Sequence, residues 1–111
     1  MSGTLFVVAT PIGNLEDLSP RARHTLAEVD LIAAEDTRHT GRLLSHLGVK
    51  TPQFALHEHN EARAAPSLIE QLKDGKSVAL VSDAGTPLVS DPGYRLLRAA
   101  HANGIAVSPV P

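Results

Sequence analysis

The fold of this chain is decided by residues 78–94, which read VALVSDAGTPLVSDPGY. Val78–Val81 is a continuous apolar run of strand length, as expected for a strand that is buried on both faces of a sheet. A turn with glycine and proline follows the run. Asp91 and Pro92 then provide a helix start, because aspartate is a favoured N-cap residue and proline a favoured first helical residue. The stretch therefore predicts a buried strand, a turn and a helix in succession.

The same succession is repeated along the rest of the chain. Segments of helical period begin at signals such as Ser19-Pro20 and end at Gly48 and Gly104. In the helical segment Glu61–Lys73, Pro66 leaves open whether the helix restarts at that proline. Strands that alternate with helices predict an α/β fold with a mostly parallel five-stranded sheet flanked by helices. The other apolar runs of strand length are Leu5–Ala9, Leu31–Ala34, Phe54–Leu56 and Ile105–Val107.

The composition limits the class of protein. Apolar residues make up 42% of the chain but aromatic residues only 3%, so the core is aliphatic, which suits a parallel sheet covered by helices. The net charge of −2 is not that of a nucleic-acid binder with an overall basic surface, so any RNA site must be local. The absence of cysteine excludes disulfides and thiolate metal sites.

The two ends of the chain carry further expectations. The apolar run Leu5–Ala9 is too short for a signal peptide or a membrane span, so a cytoplasmic protein without membrane contact is expected. At the other end, residues 107–111, VSPVP, are expected to lie just beyond a strand, in a proline-bearing loop. We interpret residues 1–111 as a single α/β domain that is the N-terminal fragment of a longer protein, with its second domain absent.

The loops after the first and fourth strands resemble each other. They read TPIGNLED at residues 10–17 and SDAGTPLVSDPG at residues 82–93, and each contains a Thr-Pro pair. In an open parallel sheet, ligands bind beyond the carboxyl ends of the strands, where these loops begin. Gly85 lets a ligand approach the main chain, and the prolines leave neighbouring carbonyls unpaired. Such carbonyls suit amino groups and a cationic sulfonium better than a phosphate, which needs N–H donors.

Two considerations limit this interpretation of the loops. Neither loop is a P-loop or a GxGxxG dinucleotide fingerprint, which weighs against ATP and NAD. The alternative is that both loops are ordinary turns between a strand and a helix, since glycine and proline are common turn residues.

Four segments together carry a family resemblance. With them the chain resembles, from about Leu5 to Pro111, the small-subunit (16S) ribosomal RNA cytidine 2′-O-methyltransferases of the tetrapyrrole (corrin/porphyrin) methylase superfamily. The resemblance implies the N-terminal domain of the tetrapyrrole-methylase fold. The segments are VVATPIGNL at 7–15, DLIAAEDTRHT at 30–40, LHEHNE at 56–61 and VSDAGTPLVSDPGY at 81–94.

The resemblance implies an activity, a cofactor and partners. The enzyme would transfer a methyl group from S-adenosylmethionine to the ribose 2′-hydroxyl of a cytidine in small-subunit ribosomal RNA. The superfamily holds this cofactor in a cleft between two α/β domains and usually forms homodimers. By their place in the motifs, the cofactor-binding residues would be Pro11, Asp83, Ala84, Gly85 and Thr86. The first loop departs from the glycine-rich loop of the wider superfamily, which argues against a methylase of corrin or sirohaem synthesis.

Methyl transfer to a ribose hydroxyl benefits from a general base, worth about 10²–10⁴-fold in rate. The candidates are Asp36, then Glu35, then His57, since these residues follow the second and third strands. Asp36 is alternatively an N-cap for the helix near Thr37, and Glu35 alternatively forms a buried ion pair with Arg38. Two histidines at positions 57 and 59 without a third ligand are a weak metal motif, so no metal is expected.

The RNA contacts and the function class also have alternatives. Arg38 and Arg42 lie one helical turn apart and are candidates for binding RNA phosphate, or else form a solvated charged face. Two other functions remain open at this point. One is a methylase of a tetrapyrrole or another small molecule. The other is a non-catalytic nucleotide-binding or dimerisation module.

Overall fold

A computed structural model describes residues 2–10, 17–57, 60–83 and 93–111 of the chain. Strands and helices alternate throughout these residues, as the sequence predicts. The strands are β1 (Thr4–Thr10), β2 (Leu31–Ala34), β3 (Gln53–Ala55), β4 (Val78–Asp83) and β5 (Ala106–Val110). The helices are α1 (Pro20–Glu28), α2 (Thr37–Leu47), α3 (Glu61–Lys73) and α4 (Gly93–Ala102).

The strands form one five-stranded sheet in the order β3-β2-β4-β1-β5. Every neighbouring pair is parallel, so the predicted fold class is confirmed. The first two crossovers lead from β1 toward the β3 edge, and the last two lead back toward β5. The interior strand β1 therefore lies between β4, the central strand, and β5, and these two are the last of the described strands.

The helices cover both faces of the sheet, because right-handed crossovers in opposite directions run over opposite faces. On one face, α1 and α2 pack against inward side chains of the strands such as Val8, Ile32 and Ala79. On the other face, α3 and α4 pack against side chains such as Leu5 and Leu80. Successive strand residues point to opposite faces, and both faces are buried, which explains the continuous apolar runs.

The predicted helix ends are confirmed where the structure describes them. The Ser19 side chain caps α1 by accepting a hydrogen bond from the N–H of Ala22 at 3.0 Å. Gly48 and Gly104 follow α2 and α4 with φ angles of 71° and 68°, the left-handed region that favours glycine. The expected start signal of α4 at Asp91 and Pro92 lies outside the described residues.

The structure answers the open question about Pro66 and corrects the expectation about Pro109. Pro66 lies inside α3, and the helix does not restart there. A proline within a helix costs about 3 kcal/mol, which the burial of Leu68, Ile69 and Leu72 at roughly 1.5–3 kcal/mol each outweighs. Residues 107–110 are not a loop but part of β5, which includes Pro109. The sheet tolerates this proline because β5 is an edge strand.

Candidate functional site

The two predicted cofactor loops begin at neighbouring points of the sheet. Thr10, the last residue of β1, pairs with Asp83, the last residue of β4. The next helices in the chain, α1 and α4, lie on opposite faces of the sheet, so the chain leaves these two strands toward different sides. Divergence of this kind at the carboxyl ends of adjacent parallel strands is where open α/β sheets bind ligands. The structure therefore brings together the starting points of the two loops.

The described residues include only part of the predicted cofactor site. Asp83 ends β4, next to the buried Thr10 of β1. The other four predicted cofactor-binding residues, Pro11, Ala84, Gly85 and Thr86, lie outside the described residues.

The three candidates for the general base also lie close together along this edge. Glu35 and Asp36 follow β2, while His57 follows β3, which is the neighbour of β2. The two strand ends are joined by a 2.9 Å hydrogen bond that the N–H of Leu56 donates to the carbonyl of Ala34. On its other side β2 lies beside β4, so the candidates flank the strand that leads into the second cofactor loop.

Asp36 caps α2, as the alternative interpretation of this residue expects. Its Oδ1 atom accepts hydrogen bonds from the N–H groups of Arg38 at 3.0 Å and His39 at 3.2 Å. The N–H of His39 is the main cause that lowers the pKa of the Asp36 carboxyl, against a smaller opposing effect of desolvation. The N–H of Arg38 and the charges of His39 and Arg42 lower the pKa of this carboxyl further. Asp36 is thus held as an exposed carboxylate at the start of α2.

The loop that carries His57 is shaped by Asn60, which the sequence analysis missed. The Asn60 side chain accepts a hydrogen bond from the N–H of His57 at 2.9 Å and donates one to the carbonyl of Ala55 at 2.7 Å. Asparagine immediately before a predicted helix is a recognisable N-cap signal. Here, however, the side chain makes no bond to the first turn of α3 and instead fixes the half-buried His57 relative to the end of β3.

An ion pair between a buried glutamate and an exposed arginine joins the helices that follow β3 and β4. The Glu61 side chain at the start of α3 is only 2% exposed, and its Oε1 atom lies 3.0 Å from Nε of Arg95 in the first turn of α4. The pair therefore connects the start of α3, which follows His57 in the chain, with the first turn of α4. No local pattern in the sequence predicts this contact, because it joins residues on different helices.

The remaining predicted residues are on the surface. Arg38 and Arg42 are both exposed, one turn apart on α2. Glu35 is exposed as well, so the alternative of a buried ion pair for this residue is wrong. In the described part of the chain, no cluster of three or more histidine, aspartate or glutamate side chains is arranged to hold a metal ion. The helices described there are all too short or too polar to cross a membrane.

Comparison with known proteins gives a family and close relatives. Residues 4–111 match the family model described as Tetrapyrrole (Corrin/Porphyrin) Methylases. A protein of Haemophilus influenzae named Ribosomal RNA small subunit methyltransferase I is 60% identical over 111 residues, 100% of this chain and 39% of that protein. Its namesake in Xylella fastidiosa strain Temecula1 is 63% identical over 109 residues, 98% of this chain and 40% of that protein. The chain thus spans about two fifths of the length of these relatives.

Solved structures share the fold. Uroporphyrin-III C-methyltransferase from Thermus thermophilus, complexed with S-adenosylhomocysteine, superposes with a TM-score of 0.75 at 21% sequence identity. The match covers 98% of this chain and 48% of that one. At this level of identity the likeness is one of fold.

Proposed function

The chain belongs to the tetrapyrrole (corrin/porphyrin) methylase family, and from this premise we propose that it forms the cofactor-binding part of an S-adenosylmethionine-dependent ribosomal RNA methyltransferase. The observation that carries the proposal is the pairing of Thr10 with Asp83, which starts two Thr-Pro loops side by side. Relatives at 60% and 63% identity named for ribosomal RNA methylation support the substrate class.

The arrangement of the strands fits S-adenosylmethionine. A solved neighbour with this fold holds the demethylated cofactor, S-adenosylhomocysteine. We assign cofactor binding to Pro11, Asp83, Ala84, Gly85 and Thr86, which follow or end the two paired strands. When bound, the cofactor supplies a methyl group activated by a sulfonium. The role of the chain is then to hold the cofactor and to orient the acceptor hydroxyl, which accounts for most of the rate in well-positioned reactions.

The proton of the ribose hydroxyl needs an acceptor, for which Asp36, Glu35 and His57 remain our candidates. A general base is most effective when its pKa lies near the working pH. The lowered pKa of Asp36 therefore weakens this residue as a base, although both cap bonds fall on Oδ1 alone. The cap favours a positioning role for Asp36, so Glu35 and His57 become the stronger candidates for the general base.

The finer features of the substrate and the assembly are part of the same proposal. The acceptor is the 2′-hydroxyl of a cytidine in the RNA of the small subunit, and Arg38 and Arg42 contact its phosphates. Both arginines are exposed on the helix that begins beside the candidate bases, which suits this role. The enzyme acts in the cytoplasm as a homodimer.

The test is methyl transfer by the full chain from labelled S-adenosylmethionine to small ribosomal subunits. We expect label in the ribosomal RNA, located by nuclease digestion and mass spectrometry at the 2′-oxygen of one cytidine. Label in a uroporphyrinogen-type tetrapyrrole instead would establish the small-molecule alternative. The absence of cofactor binding in calorimetry would leave the non-catalytic module.

Variants separate the roles of the two kinds of residue. Gly85→Val is expected to abolish cofactor binding and leave the circular dichroism spectrum unchanged, because a β-branched side chain would occupy space that the ligand needs. Substitution of the true base, tested with Glu35→Gln, Asp36→Asn and His57→Asn, should lower turnover by about 10²-fold or more with little change in cofactor affinity.

A further inference from the structure

An open groove with a volume of about 830 Å³ lies on the face of the sheet that α1 and α2 cover. One wall is a stripe of α1 formed by Pro20, Arg23, His24 and Ala27, which follow one another at helical spacing. The opposite wall is residues 47–51, which comprise the end of α2 and the connection to β3. The groove takes no part in the site at the carboxyl ends of the strands.

Cationic side chains stand on both walls of the groove. Arg23 is exposed on α1, and Lys50 is exposed on the opposite wall. Among the described residues that line the groove, none has a carboxylate side chain. An anion seated between the walls would therefore meet positive charge from two sides.

The walls are held in place by backbone contacts. The Thr51 hydroxyl donates a 2.8 Å hydrogen bond to the carbonyl of Leu26, which ties the connection to the end of α1. Free carbonyls at the end of a helix repel anions. Here the N–H groups of Gly48 and Val49 bond to carbonyls of the last turn of α2, including that of Leu44. The walls of the groove are thus held by hydrogen bonds, and carbonyl groups of the last turn of α2 are already paired.

We propose that this groove binds the phosphate backbone of the RNA substrate, a proposal that rests on the proposed function. The charge pattern favours RNA because phosphate contacts come from lysine and arginine and supply most of the sequence-independent affinity. The adjoining helix α2 adds Arg38, His39, Arg42 and His46 and contains no acidic residue. Pro20 begins α1 directly after the first cofactor loop, so RNA in the groove leads toward the reacting edge of the sheet.

The test compares two double variants of the full chain with equal change in charge. Arg23→Gln with Lys50→Gln removes one cation from each wall. Lys76→Gln with Arg98→Gln removes two exposed cations that do not line the groove, one from the connection after α3 and one from α4. Binding of a small-subunit RNA fragment is measured against salt concentration. Each lost phosphate contact lowers the slope of log affinity against log salt by about 0.7–0.9, so we expect a loss of roughly 1.4–1.8 for the groove variant and little for the control.

Kinetics and a conservative variant distinguish binding from a loss of structure. The groove variant should raise the KM for RNA roughly tenfold and leave the KM for S-adenosylmethionine unchanged. Arg23→Lys with Lys50→Arg keeps the charges and should keep the wild-type salt slope. Thermal unfolding of each variant confirms that the fold is retained.

Two results would overturn the groove proposal, and a third would refute the proposed function. Equal salt slopes for the groove and control variants, with a wild-type enzyme that methylates ribosomal RNA, refute the groove and leave the proposed function intact. A change in oligomeric state on sedimentation, with an unchanged slope, shows that the groove holds a protein partner or a second copy instead. A wild-type chain that neither binds nor methylates the RNA refutes the proposed function itself.

Discussion

The carboxylate of Asp36 links protonation to the stability of the fold. Its hydrogen bond from the N–H of His39 is the largest cause that lowers the pKa of this carboxyl, so the folded chain binds the proton more weakly than the unfolded chain does. The resulting stabilisation is fully present above the unfolded pKa, about 3.9 for aspartate, and is lost as the pH falls through the lower, folded pKa.

Asp36→Ala is therefore expected to lower the free energy of unfolding at about pH 7, with a difference from wild type that shrinks below about pH 4. Urea unfolding across this range measures it. Asp36→Asn is the control, because asparagine caps a helix about as well as aspartate but carries no charge. A loss on Asp36→Ala that is the same in acid and at neutral pH would contradict this account.

The pair of Glu61 and Arg95 offers a second prediction for single residues. Removal of Arg95 takes one cation away from a carboxylate that is 2% exposed, at a cost of about 1–3 kcal/mol. We expect Arg95→Leu to lower the free energy of unfolding by that amount and to weaken cofactor binding, since Arg95 lies in the first turn of α4, the helix that follows the second cofactor loop in the chain. The matched control is Arg98→Leu, which removes another exposed arginine of the same helix. An equal effect of both variants would show that the pair has no special role.

At the scale of elements, two helices end at glycines whose role depends only on their backbone conformation. Gly48 and Gly104 follow α2 and α4 with φ angles of 71° and 68°, and a Cβ atom at either position would meet nothing within 4 Å. The cost of a side chain there comes from the left-handed conformation and not from a clash. Gly48→Ala and Gly104→Ala should each lower the free energy of unfolding by about 1 kcal/mol, measured by urea unfolding. A neutral result would mean that the last turn rearranges.

The elements were predictable from the sequence because their signals are local. A continuous apolar run, a Ser-Pro start or a glycine stop is set by neighbours in the chain, and the strands and helix ends appear where these signals place them. The prolines were harder to interpret: the sequence left the effect of Pro66 open, and the loop expected at Pro109 was wrong. Tertiary burial and an edge position decide whether proline is tolerated in these elements.

At the scale of the whole molecule, the order of the strands predicts where the backbone is most protected. β1 and β4 are each paired on both sides, whereas β3 and β5 are edge strands. We expect the amides of Val7, Val8 and Leu80 to exchange with deuterium most slowly, and those of Gln53–Ala55 and β5 to exchange faster. The reason is that an edge strand can open locally while the rest of the sheet stays folded. Hydrogen exchange followed by mass spectrometry or NMR tests this order, and faster exchange in β1 than in β5 would contradict it.

The arrangement of the sheet and of the candidate site was only partly predictable. The loops after β1 and β4 were recognised by the similarity of their sequences, but the proximity of the points where they begin follows from the pairing of Thr10 with Asp83, which no local pattern encodes. The contact of Glu61 with Arg95 and the groove between Arg23 and Lys50 also arise from crossovers that bring distant segments together. Which distant residues lie opposite each other is decided by how the helices and the sheet pack together, and not by neighbours in the chain.

The interior position of β1 has a consequence for synthesis of the chain on the ribosome. Among the five described strands β1 is synthesised before the others, yet both of its partners, β4 and β5, emerge after β2 and β3. Until they do, β1 is an apolar segment whose backbone N–H and C=O groups have no partner strand. Such segments are prone to aggregate and to bind chaperones. Nascent chains stalled before β4 should therefore bind ribosome-associated chaperones. The fold should be completed late, in one cooperative step.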